Sequence, residues 1–372
     1  MRYRRMPIEV ESPEQMGYDT IAHNLSESSV ADRRLSDLGL DLDLDALVLC
    51  YGDHLGDPLL REAVASAADG ITAADVLVTP GAASALFCLA TAVLEPGDHA
   101  VVVRTNYATN LETPRAIGAD LDVVDLAWDE GWRLDVDRVA ALVERGRTRL
   151  ISVTCPHNPT GTVLAPDDLH RLVALAESSG AVLLVDETYR DLAHGAPLPL
   201  AASLSPRVVS VSSMSKAYGL PGLRVGWTAC TDPALSETLL AAKEQAVICG
   251  ATIDEHVAGR VLAERDRILP PIRADVAERL AVVQAWIDGQ GTFEWVAPGG
   301  GVVGLVRFRP EVVVDVDAFH TGLLADHGTY VGPGHWFELD DRHFRLGFGW
   351  PTRADLDAGL TGLTAAAAMA CR

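Results

Sequence analysis

The sequence lacks the features of a membrane protein or a disulfide-rich secreted protein. No apolar run approaches the roughly 20 residues that a helix needs to cross a bilayer. The first seven residues are basic, but no apolar stretch follows them, so we do not expect a secretory signal. The six cysteines show no CxxC spacing, which argues against a disulfide framework and a zinc site. We therefore expect a cytoplasmic protein without a bound metal.

Basic residues are also scarce. The 372-residue chain has 30 lysines and arginines against 52 aspartates and glutamates, giving a formal net charge of −22. An acidic surface repels the phosphates of nucleic acids and of anionic lipids, so we expect neither as a partner. The length of 372 residues is enough for a substantial core and more than one folding unit, and the apolar content of 48% is ordinary for a soluble globular protein.

Short apolar runs alternate with helical stretches from about residue 46 onward. Six runs read as strands, at 76–79, 99–103, 150–154, 182–185, 208–211 and 225–230. Helical patterns cover 82–94, 136–144 and 166–178. The strand runs are rich in β-branched residues and alternate little, as expected for strands buried on both faces of a parallel sheet. This order predicts an α/β fold with right-handed crossovers.

The pattern changes after about residue 255. A long helical stretch over 253–290 is followed by a glycine-rich turn, and the remaining elements read as one strand and two helices, at 302–308, 316–327 and 353–369. This pattern predicts a smaller α+β domain. We expect three parts: an N-terminal segment, 1–45, that belongs to the small domain, a large domain over 46–255, and the small C-terminal domain over 256–372.

One lysine stands in an unusual local pattern. Lys216 follows the predicted strand 208–211, with Ser213 and Ser215 three and one residues before it and Arg224 eight residues after it. This segment resembles the signature around the lysine that binds pyridoxal phosphate (PLP) in the class I/II aminotransferases, which have fold type I.

Four further strings resemble motifs of the same family and occur in the family's order. They are Asp186-Glu-Thr-Tyr189, Asn158-Pro-Thr-Gly161, Gly81-Ala-Ala-Ser-Ala-Leu86, and Tyr51 with the later Gly56 and Leu60-Arg61. The resemblance implies an α/β, fold-type I PLP transferase with a mostly parallel, seven-stranded sheet flanked by helices. It also implies PLP as the cofactor and a small-molecule amino acid as the substrate.

The resemblance assigns residues to each part of the cofactor. The phosphate would be held by a helix start, two hydroxyls and a guanidinium, from Ala82, Ala83, Ser213, Ser215 and Arg224. Asp186 would keep the pyridine nitrogen protonated by raising its pKa. Tyr189 and Asn158 would bond the phenolic oxygen, and Tyr107 would stack on the ring. Lys216 would form the Schiff base and then act as general base for the Cα proton.

Substrate-facing residues follow from the same comparison. Arg345 matches the arginine that grips the α-carboxylate, assisted by Asn158. Glu27 lies in the N-terminal segment that often closes over substrate, where a carboxylate would suit a cationic side chain. Tyr51 matches a tyrosine that reaches the cofactor of a neighbouring subunit, so we expect a homodimer with shared active sites.

The reaction type is left open by these residues. The simplest expectation is removal of the Cα proton of an L-amino acid through an aldimine and a quinonoid, followed by transamination. Several strings, among them those at 54–57, 147–150 and 156–159, are similar to a PLP enzyme that cyclises a hydroxylated arginine. The alternatives are such an elimination and cyclisation, or another PLP elimination or replacement. This similarity favours a role in specialised, antibiotic-type biosynthesis.

A nicotinamide oxidoreductase is disfavoured because the glycine fingerprint is missing.

Overall fold

The computed structural model describes residues 1–371. The strands are β1 His23–Asn24, β2 Val76–Thr79, β3 His99–Arg104, β4 Asp120–Asp125, β5 Thr148–Thr154, β6 Val182–Asp186, β7 Val208–Ser213, β8 Gly226–Ala229, β9 Phe293–Trp295, β10 Val303–Phe308, β11 Thr329–Tyr330, β12 Gly332–Pro333 and β13 His343–Gly347. The α-helices are α1 Pro7–Val10, α2 Pro13–Met16, α3 Pro58–Ala65, α4 Gly81–Val93, α5 Thr109–Ile117, α6 Val136–Leu142, α7 Pro166–Ser179, α8 Pro233–Glu244, α9 Thr252–Ala263, α10 Arg265–Asp288, α11 Val316–His327 and α12 Arg353–Ala370.

Seven strands form the central sheet, in the order β2-β8-β7-β6-β5-β3-β4. All neighbouring pairs are parallel except those of β8, which runs antiparallel to β2 and to β7. Every residue of β2 and of β6 is buried, which explains their unbroken apolar runs. The predicted mostly parallel, seven-stranded sheet is confirmed.

Helices cover both faces of this sheet. Successive residues of a strand point to opposite faces, and neighbours on β6 accordingly join different apolar clusters. Leu183 packs with Leu169 and Leu172 of α7, whereas Leu184 packs with Leu86 and Leu89 of α4. The two layers hold the sheet from both sides and leave the strand ends free to carry polar groups.

A second sheet lies later in the chain. It has four antiparallel strands in the order β12-β13-β10-β9. The expected long helical stretch after residue 253 is two helices, since the α-helical pattern is interrupted at Glu264. β1 pairs in parallel with β11, which ties the N-terminal segment to this part of the fold. The domain boundaries near residues 45 and 255 stay a prediction.

The described residues 1–371 contain no helix that is long and apolar enough to cross a membrane. Within the same range, no group of three or more His, Cys, Asp or Glu side chains could hold a metal ion.

Candidate active site

A cavity of about 650 Å³ lies at the carboxyl ends of three central strands. Thr154, Asp186 and Ser213 end β5, β6 and β7, and all three line the cavity. The carboxyl ends of parallel strands are where α/β sheets usually bind their ligands. The remaining walls come from the start of α4, the N-terminal segment and β13.

Lys216 faces this cavity three residues after β7. Its Nζ donates a hydrogen bond of 2.9 Å to Oγ of Ser28. Burial lowers the pKa of Lys216, and the nearby charge of Glu27 partly opposes the shift. A lowered pKa increases the neutral fraction of the amine, the form that attacks an aldehyde or accepts a proton.

Asp186 is a buried carboxylate at the end of β6, with 5% of its surface exposed. Its Oδ1 accepts hydrogen bonds from the amide (3.1 Å) and the hydroxyl (2.6 Å) of Thr188. Burial raises the pKa of Asp186. Within residues 1–371 it forms no ion pair with a protein cation, so a positively charged group in the cavity would relieve the cost of burying its charge.

The start of α4 and the Arg224 guanidinium form an anion-binding corner. Gly81 has φ +80°, and a Cβ added there would lie 2.7 Å from Nη2 of Arg224. A Cβ at Gly226, on β8, would lie 2.5 Å from the amide nitrogen of Ala82. Both glycines therefore permit the close approach that brings the guanidinium to the helix N-terminus, where free amides attract anions. The corresponding lining residues are Ala82, Ala83, Ser213, Ser215 and Arg224.

Two further predicted cofactor residues, Tyr189 and Tyr107, line the cavity. Tyr189 donates a 2.6 Å hydrogen bond to the carbonyl of Ser28, and burial raises the pKa of Tyr189 to about 12. Tyr107 lines the cavity after β3, with its hydroxyl 3.5 Å from a carboxylate oxygen of Glu9.

Arg345 on β13 is a buried cation without a carboxylate partner in the described chain. Only 4% of it is exposed. Its Nη1 donates to Oδ1 of Asn158 at 3.2 Å and its Nη2 to the carbonyl of Ser26 at 2.6 Å. Its Nε has no acceptor among residues 1–371. The rings of Phe337 and Trp336 lie 5.2 and 5.8 Å from the guanidinium carbon, within the range of cation–π attraction.

Residues 26–28 connect these groups, and we call them the 26–28 segment. The Ser26 carbonyl accepts from Arg345, the Ser28 carbonyl from Tyr189, and the Ser28 hydroxyl from Lys216. Gly347, at the end of β13, donates from its amide to the carbonyl of Leu25 at 2.7 Å. A Cβ at Gly347 would overlap the Glu27 carbonyl oxygen, so only glycine allows this approach.

The structure brings together every predicted site residue except one. Tyr51 is 83% exposed and does not line the cavity, so its role across a subunit interface stays a prediction. The sequence interpretation missed several lining residues of the N-terminal segment and of the strand ends: Glu9, Glu14, Ser26, Ser28, Thr154 and Thr188. Residues 9–28 have no regular period that would have indicated which of them face inward.

The sheet, the buried lysine and the anion-binding corner define an enzyme site of the PLP transferase type. The chain matches the family of class I and II aminotransferases over residues 41–363, and it belongs to this family.

Two relatives are similar to this chain over most of their length. It is 35% identical to capreomycidine synthase of Streptomyces vinaceus, over 87% of this chain and 82% of that protein. It is 29% identical to the arginine–pyruvate transaminase AruH of Pseudomonas aeruginosa, over 80% of this chain and 77% of that one.

Solved structures agree with this assignment. A PLP-dependent aminotransferase from Streptococcus suis superposes with a TM-score of 0.92 at 27% identity, with both chains fully covered. The PLP-dependent cyclase OrfR superposes with a TM-score of 0.87 at 31% identity, over 98% of this chain and 97% of that one. The protein is therefore a PLP-dependent enzyme.

The residues of the cavity fit this cofactor at three points. The helix start beside Arg224 suits a phosphate. The buried carboxylate of Asp186 suits a protonated ring nitrogen. The amine of Lys216, with its lowered pKa, suits a Schiff base with an aldehyde.

Proposed function

We propose that this enzyme removes the Cα proton of an L-amino acid and that Lys216 moves this proton. The observation that carries the proposal is that Lys216, Asp186 and Arg345 face one cavity of about 650 Å³. In this proposal Lys216 is the base, Asp186 is the partner of a protonated ring nitrogen, and Arg345 binds the substrate carboxylate. PLP, when bound, supplies an electron sink for the negative charge that develops at Cα.

Each remaining residue has one task in this proposal. The phosphate is held by the residues of the anion-binding corner: Ala82, Ala83, Ser213, Ser215 and Arg224. Tyr189 and Asn158 bond the phenolic oxygen, and Tyr107 packs on the ring. Arg345 orients the amino acid, because two parallel hydrogen bonds from a guanidinium fix a carboxylate in direction as well as position. Glu27 faces the substrate side chain.

Transamination is the simplest overall reaction and the first candidate. In it Lys216 would take the proton from Cα and deliver it again, and water would supply the oxygen of the keto acid that the substrate becomes. The amino group would pass to an acceptor keto acid such as pyruvate through the carrier chemistry that bound PLP supplies. The family membership and the named activity of AruH support this candidate. The test is incubation with an amino acid and pyruvate. A keto acid that forms only when pyruvate is present is expected, and its absence rejects transamination.

Cyclisation is a second candidate, favoured by the similarity to capreomycidine synthase and to OrfR. On a β-hydroxylated arginine, the Cα–H and Cβ–O bonds would break and water would leave. A guanidino nitrogen would then bond to Cβ, with a proton restored at Cα. The product keeps every nitrogen and loses one water, whereas transamination exchanges an amino group for oxygen. Product mass separates the two, and cyclisation would indicate a role in specialised biosynthesis.

We further propose a homodimer in which Tyr51 serves the partner's site. Support comes from its exposure and from the exposure of the neighbouring apolar residues Val48 (72%) and Leu49 (70%). The division into a large domain over 46–255 and a small domain formed by 1–45 and 256–372 is part of the same proposal, supported by the pairing of β1 with β11. A cytoplasmic location stays a prediction.

A further inference from the structure

The N-terminal wall of the cavity carries two carboxylates, Glu14 and Glu27, that the reaction itself does not use. Glu27 accepts hydrogen bonds at Oε1 from the Tyr18 hydroxyl (3.2 Å) and the Asn24 amide (3.5 Å). Neither glutamate forms an ion pair within residues 1–371. The third carboxylate of this wall, Glu9, lies beside Tyr107.

The positively charged side chains that line the cavity have other partners or other proposed roles. Arg345 and Lys216 serve the substrate carboxylate and the proton transfer, and Arg224 serves the phosphate. The remaining cation, Arg5, donates to the carbonyl of Glu9 and to the side chain of Gln15. Under the proposed function, none of the three carboxylates of this wall has a partner of opposite charge in the described chain, and Glu9 differs from Glu14 and Glu27 in lying beside the Tyr107 hydroxyl.

Arg345 independently indicates that a charged ligand binds beside these glutamates. Its Nε is a buried donor with no acceptor in the described chain, which an amino-acid carboxylate would satisfy. Its Nη2 bonds the carbonyl of Ser26, the residue directly before Glu27. A substrate anchored at Arg345 therefore lies next to the segment that carries Glu27.

The electrostatic environment of Glu27 also favours a bound cation. Burial raises the pKa of Glu27, the charge of Glu14 raises it further, and Lys216 and Arg345 lower it. Two carboxylates in a partly buried wall repel each other, and a cation between them removes that cost.

We propose that Glu14 and Glu27 form the subsite for a positive charge at the far end of the substrate side chain. The substrates are then L-amino acids that end in a guanidinium or an ammonium group. This inference rests on the proposed function, because it takes Arg345 as the anchor of the substrate carboxylate.

The subsite would also link the recognition of the side chain to the groups that act at Cα. Glu27 is the middle residue of the 26–28 segment, whose two serines hold Arg345, Tyr189 and Lys216. A cation bound at Glu27 therefore steadies the backbone that positions the base and the carboxylate anchor.

The test compares L-arginine with L-citrulline, which has nearly the same shape but carries no side-chain charge. Each is titrated into the PLP-loaded enzyme without an amino acceptor, and the visible absorbance of the cofactor reports binding. We expect arginine to bind at least about tenfold more tightly, a preference worth roughly 1.4 kcal/mol. Glu27→Gln should bring the ratio of the two dissociation constants close to one, mainly by weakening the binding of arginine. Glu14→Gln should lower the ratio partway.

Controls separate this inference from the proposed function and from misfolding. Glu177→Gln removes an exposed carboxylate on α7 and should keep the full preference, while Glu27→Asp should restore part of it. Equal binding of arginine and citrulline by the wild-type enzyme would overturn the subsite while leaving the PLP function intact. A ratio unchanged in Glu27→Gln would overturn it as well. A wild-type enzyme whose cofactor absorbance responds to no amino acid would instead contradict the proposed function.

Discussion

The Nζ of Lys216 and the Oγ of Ser28 are 2.9 Å apart, although 188 residues separate them in the sequence. Ser28 also accepts a hydrogen bond from Tyr189 through its carbonyl. One residue of the N-terminal segment thus contacts both Lys216, the proposed base, and Tyr189, the proposed partner of the cofactor's phenolic oxygen. The N-terminal segment lines the cavity, and under the proposed function it also positions the base.

Removing the Ser28 hydroxyl should slow proton transfer with little effect on substrate binding. Ser28→Ala leaves Lys216 without its partner, while the backbone carbonyls that hold Tyr189 and Arg345 remain. One hydrogen bond contributes about 0.5–1.5 kcal/mol, so we expect kcat and the exchange of the Cα proton with D2O to fall about 2- to 10-fold. KM should stay near its wild-type value. Ser36→Ala, at an exposed position, is the control, and a change confined to KM would contradict the prediction.

Replacing Arg345, the proposed binding residue for the substrate carboxylate, should mainly raise KM. Arg345→Lys keeps a positive charge but loses the planar fork that bonds Ser26 and Asn158 and faces the substrate. A hydrogen bond to a charged group is worth about 1.5–3 kcal/mol, so KM for the amino acid should rise roughly 10- to 100-fold. Steady-state kinetics measure this rise, and Arg353→Lys on the exposed start of α12 should have no effect. An unchanged KM would mean that the carboxylate binds elsewhere.

Stability should depend on pH through Glu187. Burial raises the pKa of this carboxyl from 4.5 to about 7, even though the Ala201 amide donates to it at 3.2 Å. The folded state therefore holds the proton more tightly than the unfolded chain. Its contribution to stability is complete below about pH 4.5 and is lost as the pH rises to about 7 and above, by at most about 3 kcal/mol.

Glu187→Gln mimics the protonated carboxyl and should remove this dependence. The difference in Tm between the variant and the wild type should therefore grow in favour of the variant as the pH is raised from about 5 to about 8. Thermal unfolding at several pH values measures it, with Glu177→Gln as the matched exposed control. A difference that is constant with pH would show that Glu187 keeps its charge in the folded protein.

Mixing two inactive variants should restore activity if Tyr51 acts across an interface. A dimer of one Lys216→Ala subunit and one Tyr51→Ala subunit has one complete site, which combines Lys216 of the second subunit with Tyr51 of the first. Random reassociation of equal amounts should recover about one quarter of the wild-type activity. Full activity of Tyr51→Ala alone, or no recovery on mixing, would show that Tyr51 does not complete a partner's site.

The buried strands of the central sheet could be predicted from the sequence, whereas the partly exposed edge strand β4 could not. The β6 strand, Val182–Asp186, is an unbroken apolar run up to its last residue because both of its faces are covered. β4 was not predicted, since three of the six residues of its sequence DLDVVD are aspartates and both ends of the strand are exposed. Such charges are usual on edge strands and give a weak strand signal.

In the candidate site, residues that come after apolar strands could be predicted, whereas residues of the N-terminal segment could not. Asp186 and Lys216 directly follow apolar strands, so their meeting at one sheet edge could be predicted. Glu14 and Ser28 lie in a segment without regular pattern, and their position depends on contacts with residues far away in the sequence. Such contacts leave no local signature, because the partner that determines them is not nearby in the chain.

Gly347 affects the length of substrate that the cavity can hold. Its lack of a Cβ lets the backbone of residues 25–27 lie against β13, so the glycine determines how far Glu27 stands from Arg345. Any larger residue would push that backbone outward and lengthen the span between the two charges. If Arg345 and Glu27 bind the two ends of the substrate as proposed, Gly347 helps to determine the length of amino acid that fits between them.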